Sequence, residues 1–185
     1  MKYKGKIYKK IILLGNSGSG KSWTAQRMGS KTGYPVIYLD KECWQPGWNY
    51  PPEEEWQEKN RAFIQGSEWI IDGNHHETLQ MRIEAADLIL FFDINRLLCM
   101  YRVWKRHGHK RIDLPEYLEE KRDKEFFRFL KWIWQFPEKC NPGILAMQEK
   151  YQDKDFLIFH SRKDAEIFLE QIESTVYKGL HRVGI

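Results

Sequence analysis

The 185-residue sequence has few cysteines and no long apolar run. Its three cysteines, Cys43, Cys99 and Cys140, are odd in number and widely spaced, which argues against a disulfide framework and against a zinc site. No apolar stretch approaches the ~20 residues that span a bilayer, so we expect no membrane partner. Residues 1–6 lead into no apolar segment of the length that a secretory signal needs. Together these absences favour a reducing, cytoplasmic compartment.

The composition is that of an ordinary folded domain, with 42% hydrophobic and 30% charged residues. The length allows one domain with a core and is short for two. A net charge of +4 does not require a nucleic-acid partner, because any enzyme that handles polyphosphates carries a basic cleft. Residues 1–185 are therefore predicted to form a single domain, as a monomer or a homodimer.

Residues 15–22 match the phosphate-binding P-loop pattern G-x-x-x-x-G-K-[ST]. They are Gly15, Asn16, Ser17, Gly18, Ser19, Gly20, Lys21 and Ser22. The glycines let the backbone curl so that N–H groups point at phosphate oxygens. Lys21 brings positive charge to the outer phosphates, and the Ser22 hydroxyl can bind a metal ion. A predicted buried strand precedes the loop and a predicted helix follows it, so we expect ATP and Mg²⁺ as cofactors.

Short apolar runs alternate with helical segments along the chain. Predicted strands cover residues 10–14, 36–39, 69–74, 88–93 and 155–159. Predicted helices cover residues 22–31, 53–65, 78–86, 96–107, 116–135 and 161–173, with an ordered loop at 41–52 and a helix break at 137–143. Continuous apolar strands between helices indicate a parallel sheet covered on both faces, which is a three-layer α/β fold.

Acidic residues end three of the predicted strands, where ligands bind in parallel sheets. Asp72 follows an apolar strand, and we expect it to serve magnesium together with Ser22. Asp93 follows an equally apolar strand, but a helix begins directly afterwards, which favours a structural cap. Asp40 ends the second strand, where an acceptor substrate should approach.

Two tryptophans follow Asp40 in a loop that contains Pro-Gly. Trp44 and Trp48 either stack against a substrate or anchor the loop on the core, and the sequence does not decide between these roles. Asn74 follows Asp72 and is predicted to face the same cleft. Arg82 lies on the next helix and is a candidate ligand for an acceptor phosphate; the alternative is a solvated helical arginine.

Basic residues crowd into the segment after the fourth strand. They are Arg96, Arg102, Lys105, Arg106, His107, His109, Lys110 and Arg111. Arg102 and Arg106 are four residues apart, so they project from one helical face. Phosphoryl transfer needs positive charge spread over the moving group, which arginines on a closing lid supply. The alternative is a solvated basic face.

Residues 125–136 are rich in aromatic side chains. Such a helix can stack on the bases of single-stranded nucleic acid, but it is more often part of a core or an oligomer contact. The core interpretation is favoured, and a nucleic-acid partner is not expected. The rival functions are a nucleic-acid-associated ATPase, which would use this helix and the basic segment, and a nucleotide-binding regulator.

Several motifs occur in an order that is typical of one group of kinases. They are residues 15–22, 39–40, 44–48 and 70–74, Arg82 with 86–87, and Arg102 with Arg106. Over residues 10–172 the chain resembles the adenylate-kinase-like P-loop kinases, and most closely the bacterial group labelled DNA topology modulation proteins. The resemblance implies strand order 2-3-1-4-5, an acceptor-binding region at about 40–66 and a lid at about 102–135.

The resemblance also implies roles for individual residues. Asp72 with Gly73 matches the Asp-Gly of the nucleoside monophosphate kinases, which continue with Phe-Pro-Arg, whereas residues 74–76 are Asn-His-His. Asp40 resembles the acid with which other small-molecule kinases bind or deprotonate a substrate hydroxyl. The chain is therefore predicted to transfer a phosphoryl group from ATP to a small acceptor, either a nucleotide or a metabolite hydroxyl. A nucleoside monophosphate kinase is the alternative.

Overall fold

A five-stranded parallel sheet forms the centre of the computed structural model, which describes residues 1–174. The strands are β1 (Lys2–Tyr3), β2 (Lys6–Ile7), β3 (Lys10–Gly15), β4 (Val36–Tyr38), β5 (Trp69–Asp72), β6 (Leu88–Phe92) and β7 (Asp155–Phe159). The helices are α1 (Lys21–Thr32), α2 (Leu39–Cys43), α3 (Glu53–Ile64), α4 (His76–Ala85), α5 (Arg96–Arg106), α6 (Lys124–Lys139), α7 (Asn141–Lys150) and α8 (Arg162–Gln171). None of these helices is both long and apolar enough to cross a membrane.

The strand order in the sheet is β4-β5-β3-β6-β7, and every neighbouring pair is parallel. Counted from the strand before the P-loop, this is the predicted order 2-3-1-4-5, so the predicted three-layer fold is confirmed. The crossovers bring the carboxyl ends of β3, β4 and β5 to one edge. The P-loop, Asp40 and Asp72 therefore lie near one another. Residues 175–185 of the predicted domain lie outside the described residues.

Both faces of the sheet are buried, which explains the continuous apolar strands. Ile11 and Leu13 of β3 pack into the core on one face, and Ile12 and Leu14 pack into the core on the other. Successive strand residues point to opposite faces, so a strand covered by helices on both sides needs apolar residues at every position. A two-stranded hairpin of β1 and β2 was not predicted, because its strands are too short to show a pattern.

The prediction of a helix over residues 116–123 was wrong, whereas the helix break predicted at 137–143 is present at Cys140, between α6 and α7. Residues 116–123 form no helix, and α6 begins at Lys124, where the Asp123 side chain accepts hydrogen bonds from two backbone N–H groups. The break does not fall at Pro137 itself, which lies inside the last turns of α6. Proline has no N–H, so the Ile133 carbonyl four residues earlier has no helical donor. The side chain of Asn16 donates to that carbonyl at 2.8 Å, which explains why the helix tolerates Pro137.

The prediction of a loop directly after the second strand was also wrong. Residues 39–43 form the short helix α2, and Asp40 lies in its first turn. An acidic residue in the first turn interacts favourably with the helix dipole. Asp40 is thereby fixed on a helix rather than at the end of a strand.

Candidate active site

A cavity of about 1260 Å³ lies beyond the carboxyl ends of the strands. Its lining combines the P-loop, strand-end acids, aromatic side chains and basic residues from the lid; it includes Ser17, Gly18, Ser19, Gly20, Lys21, Ser22, Asp40, Trp44, Trp48, Asp72, Asn74, Arg102, Arg106 and Asp113. Of the predicted site residues, only Gly15, Asn16 and Arg82 are outside the lining. The volume exceeds the roughly 300–1,000 Å³ of typical ligand sites, which leaves room for a nucleotide and a second small molecule.

The P-loop curls around the amino group of its own lysine. Lys21 Nζ donates to the carbonyls of Gly15 and Asn16 at 2.9 and 3.0 Å. Gly18 has φ +79°, and a Cβ atom there would lie 2.4 Å from the Cys99 carbonyl oxygen, so only glycine fits. The loop ends at the N-terminus of α1, where backbone N–H groups and the helix dipole favour an anion.

The side chain of Asn74 holds the P-loop in place. Its Nδ2 donates to the Gly15 carbonyl at 2.9 Å, and its Oδ1 accepts from the Gly15 N–H at 3.0 Å. We predicted that Asn74 binds the acceptor. It does border the cavity, but both halves of its amide are occupied by Gly15, so it acts on the phosphate-binding loop.

Arg82 does not reach the cavity, in contrast to its predicted role as an acceptor ligand. The side chain is fully buried and donates to the carbonyls of Gly73 at 2.9 Å and His75 at 2.8 Å, and also to that of Asn74. Burial lowers the pKa of Arg82 to about 9, while the charges of Tyr50 and Glu77 oppose this effect. The guanidinium thus stabilises a turn in which His75 adopts the left-handed φ of +36°.

Asp40, His75 and Tyr50 form a hydrogen-bonded chain at the acceptor end of the cavity. His75 Nε2 lies 3.1 Å from Asp40 Oδ1, and His75 Nδ1 lies 2.9 Å from the Tyr50 hydroxyl. Burial by itself would raise the pKa of Asp40, but the hydrogen bond and charge of His75 and the charge of Lys21 lower it below its usual value. An ionised Asp40 only accepts, so Nε2 donates to it; in a neutral imidazole Nδ1 then accepts from Tyr50.

The aromatic residues around this chain contact one another edge to face. The Trp44 ring lies 5.6 Å from Trp48 and 5.7 Å from Tyr50, and buried Trp56 lies 5.0 Å from the His75 ring. Trp44 and Trp48 line the cavity, and the Trp48 side chain is 41% exposed. The tryptophans therefore present an apolar wall beside the free oxygen of Asp40.

Three oxygen-bearing side chains, those of Ser22, Asp72 and Asp113, line the part of the cavity where we expect a metal ion. Ser22 Oγ donates to Asp113 Oδ2 at 3.0 Å, and Asp72 is buried with its Oδ1 lacking any hydrogen-bond partner in the described structure. Burial raises the pKa of Asp72 to about 6, and the charge of Asp113 also raises it, whereas the charge of Lys21 lowers it. A buried, unpaired carboxylate oxygen next to a serine hydroxyl fits a hard cation such as Mg²⁺.

The protein alone does not form a complete metal cage here. Residues 1–174 contain no group of three or more histidine, cysteine or acidic side chains that could hold an ion. Mg²⁺ in phosphoryl-transfer sites takes one or two carboxylates and completes its shell with water and substrate phosphates. The pair of Ser22 and Asp72 therefore fits Mg²⁺ that arrives with a nucleotide.

Both lid arginines lie on α5 and line the cavity, and Arg102 reaches the P-loop. Arg102 Nη1 lies 3.3 Å from the carbonyl oxygens of both Gly18 and Ser19. Arg106 lines the cavity, and its buried Nε has no hydrogen-bond partner among the described residues. Burial lowers the pKa of Arg106, and the charge of Arg111 lowers it further. An unpaired guanidinium N–H on a residue that lines the cavity is suited to an anionic ligand.

Comparisons with solved structures show the same architecture. Shikimate kinase from Bacteroides thetaiotaomicron matches with a TM-score of 0.53 and 16% identity, over 89% of this chain and 96% of that chain. A sugar kinase from Janibacter sp. HTCC2649, in its unliganded structure, matches with a TM-score of 0.51 and 18% identity, over 89% of this chain and 91% of that one.

The chain has a P-loop kinase fold. No protein-family model matches the sequence, and no curated protein matches it either. At these identities the likeness establishes the fold and leaves the chemistry to be argued from the site.

Two residues of the cavity, His75 and Asp113, were not among the predicted site residues. The contacts of His75 with Asp40 and Tyr50 join distant parts of the chain, so no local pattern indicates them. Asp113 lies in a polar segment without periodicity, so no element predicted its direction. Arg111 and Asp113 are two residues apart, and this spacing was the only local indication that they form an ion pair.

Proposed function

We propose that the protein transfers a phosphoryl group from Mg²⁺-ATP to a hydroxyl group of a small acceptor. The observation that supports this most strongly is that Lys21 of the P-loop and the carboxylate of Asp40 border one cavity. One end of the cavity suits polyphosphate, and the other presents a hydrogen-bond acceptor beside an aromatic wall. A site that holds donor and acceptor together supplies most of what phosphoryl transfer needs.

In this proposal the positively charged groups of the cavity bind phosphate, and the oxygen-bearing side chains bind the metal ion. The P-loop N–H groups and Lys21 hold the phosphates, and Ser22 and Asp72 serve Mg²⁺. When bound, the ion neutralises charge on the phosphate oxygens. Arg102 and Arg106 neutralise the transferring group from the lid side.

The acceptor end favours a neutral hydroxyl over a phosphate. The carboxylate of Asp40 is 44% exposed and repels an anion, while Arg82, the predicted phosphate ligand, is fully buried and paired with carbonyls. The two structural neighbours are named as a shikimate kinase and a sugar kinase, which supports a small metabolite rather than a nucleotide as acceptor. A nucleoside monophosphate kinase is thereby the weaker candidate.

Asp40 acts in this proposal as a ligand that orients the acceptor hydroxyl. His75 occupies Oδ1, so Oδ2 is left to accept a hydrogen bond from the substrate. The lowered pKa of Asp40 makes it a weak base. Phosphoryl transfer through a loose transition state needs alignment of the nucleophile more than early proton removal.

The other functional predictions are secondary parts of the proposal. The aromatic helix α6 buries Phe126, Leu130, Ile133 and Phe136, which supports a core role over base stacking. The three cysteines are free and buried, in keeping with a reducing cytoplasm. The narrower resemblance to DNA topology modulation proteins stays a prediction, as do the single domain and the monomeric or homodimeric state.

A screen for ATP consumption tests the proposal. The purified protein is incubated with Mg²⁺-ATP and with sugars, polyols, hydroxy acids, nucleosides or nucleoside monophosphates, and ADP release is coupled to NADH oxidation. We expect stimulation by a hydroxyl compound in wild type and none in Lys21→Ala at an unchanged melting temperature. Stimulation by a monophosphate alone would establish the alternative kinase. Stimulation only by single-stranded nucleic acid, with steep salt dependence, would establish the ATPase.

A further inference from the structure

A hydrogen bond joins the P-loop to the lid segment, defined here as residues 107–123 between α5 and α6. Ser22 Oγ lies 3.0 Å from Asp113 Oδ2, and the Asp113 side chain is 10% exposed. A serine hydroxyl has one proton and two lone pairs, whereas a carboxylate only accepts. The proton of Ser22 therefore points at Asp113, and the lone pairs of its oxygen point elsewhere.

Arg111 and Glu120 hold Asp113 in this orientation. Arg111 donates to both oxygens of Asp113, at 3.0 and 2.7 Å, and also to Glu120 Oε1 at 2.9 Å. A two-pronged arginine contact fixes the plane of a carboxylate, so Asp113 is held as an acceptor in one orientation.

We propose that Asp113 is a positioning residue of the magnesium site: by accepting the proton of Ser22, it turns the lone pairs of that hydroxyl toward a divalent cation. The inference rests on the proposed function, in which Ser22 and Asp72 serve Mg²⁺. Because Asp113 belongs to the lid segment, the site is complete only when that segment lies on the P-loop. Binding of Mg²⁺-nucleotide and closure of the lid segment therefore favour each other.

Two further contacts join the lid segment to the loop that carries Trp44 and Trp48, called the acceptor loop here. The Tyr117 hydroxyl donates to the Trp44 carbonyl at 2.7 Å, and Trp48 Nε1 donates to the Glu119 carbonyl at 3.4 Å. The segment thus contacts the P-loop at Asp113 and the acceptor loop at Tyr117. A closed lid segment holds the metal side and the acceptor side in one arrangement.

The test compares nucleotide affinity with Mg²⁺ and with EDTA. Calorimetry with a non-hydrolysable ATP analogue is applied to wild type, Asp113→Ala, Asp113→Asn, Ser22→Ala and the Ser22→Ala/Asp113→Ala double variant. Asp153→Asn, an exposed carboxylate outside the cavity, is the matched control. We expect Asp113→Ala to lose about tenfold or more of the affinity gained from Mg²⁺ and to match wild type in EDTA, because hydrogen bonds to charged groups are of this strength.

The double variant separates positioning from a general effect on the fold. If Asp113 acts through the Ser22 hydroxyl, its loss changes nothing further once Ser22 is alanine, so the two effects are not additive. Limited trypsin digestion gives a second readout, because the lid segment carries exposed Lys110 and Lys121. Mg²⁺-nucleotide should protect these sites in wild type and not in Asp113→Ala.

Each other outcome overturns the inference. A folded Asp113→Ala that keeps the wild-type gain from Mg²⁺, or that is additive with Ser22→Ala, shows that Asp113 only pairs with Arg111. If Asp113→Ala fails to fold, Asp113→Asn is judged by the same criterion. If wild type binds the analogue with no gain from Mg²⁺, the inference alone fails. If wild type fails to bind it at all, the inference and the proposed function fail together.

Discussion

The imidazole of His75 lies 3.1 Å from Asp40 and donates to one of its two carboxylate oxygens. Asp40 lies in the first turn of the short helix α2, and His75 precedes α4, so the contact joins the two sides of the acceptor end. The Tyr50 hydroxyl contacts the other ring nitrogen, and buried Arg82 donates a hydrogen bond to the backbone carbonyl of His75. The acceptor carboxylate is therefore held by a chain of side chains that starts in the core.

Replacing His75 with leucine should weaken acceptor binding selectively. The imidazole fixes Asp40 in one rotamer, and its loss lets the carboxylate turn, so we expect the KM for the acceptor found by the screen to rise about tenfold. The KM for ATP should stay within about twofold. His75→Gln, whose amide can donate to Asp40, should recover part of the loss. Equal increases in both KM values would contradict this role.

Asp40→Asn should reduce turnover far more than it weakens ATP binding. The amide keeps the size of the carboxylate, but it no longer offers a charged acceptor to the substrate hydroxyl. We expect kcat/KM for the acceptor to fall by about a hundredfold or more, within the range for a group that contacts the nucleophile. Nucleotide affinity, measured by calorimetry without acceptor, is the control. An unchanged rate would remove Asp40 from the mechanism.

Arg82→Met should destabilise the protein strongly. Methionine leaves the carbonyls of Gly73, Asn74 and His75 buried without their donor. We expect a loss of about 3–5 kcal/mol in the free energy of unfolding, measured in urea. Arg61→Met, at an exposed position on α3, should change it by less than about 0.5 kcal/mol. A small effect at Arg82, with a raised acceptor KM instead, would restore its predicted role as a ligand.

Asp72→Asn should stabilise the metal-free protein at pH 7. Burial raises the pKa of Asp72 to about 6, so between about pH 4 and 6 the folded state binds more protons than the unfolded state. The free energy of unfolding therefore falls as pH rises through this window, and the penalty is fully present above it. We expect the variant to gain about 1–3 kcal/mol at pH 7 and much less at pH 4.

Urea unfolding of wild type and Asp72→Asn in EDTA, at several pH values, measures this difference. Nucleotide affinity in Mg²⁺ should fall in the same variant, because stability and metal binding make opposite demands on a buried carboxylate. A variant that is less stable than wild type at pH 7 would show that Asp72 is satisfied within the protein.

Asn16 and Pro137 should be energetically coupled. The Asn16 side chain supplies the donor that Pro137 cannot give to the Ile133 carbonyl. Asn16→Ala alone should cost about 1–2 kcal/mol of unfolding free energy, since it leaves that carbonyl buried and unpaired. In a Pro137→Ala background the helix has its own N–H for Ile133, so the cost should shrink. Additive effects of the two substitutions would contradict the coupling.

The sheet was predictable because its signal is local. Short continuous apolar runs such as residues 88–92 are typical of central strands between helical layers, and the structure buries every position of this one. The P-loop was predictable for the same reason, since its glycines and Lys21 are contiguous. The order of the strands came from a resemblance rather than from the strands' own residues.

The errors arose where long-range contacts decide the conformation. Pro137 would break an isolated helix, and only a P-loop side chain more than a hundred residues earlier in the chain makes its position tolerable. Arg82 could equally have faced solvent, cavity or core until the turn at residues 73–75 was known. Asp113 had no periodic context, and its role depends on how the lid segment lies on Ser22.

The central claim is that the cavity joins an ATP site to a hydroxyl acceptor. Phosphorus NMR of the reaction with Mg²⁺-ATP and the acceptor from the screen tests it most directly, because it distinguishes a phosphate ester from inorganic phosphate. Wild type should produce an ester signal that grows with ADP, and Lys21→Ala should produce none. Release of inorganic phosphate alone, or an ester formed equally by Lys21→Ala, would contradict the account.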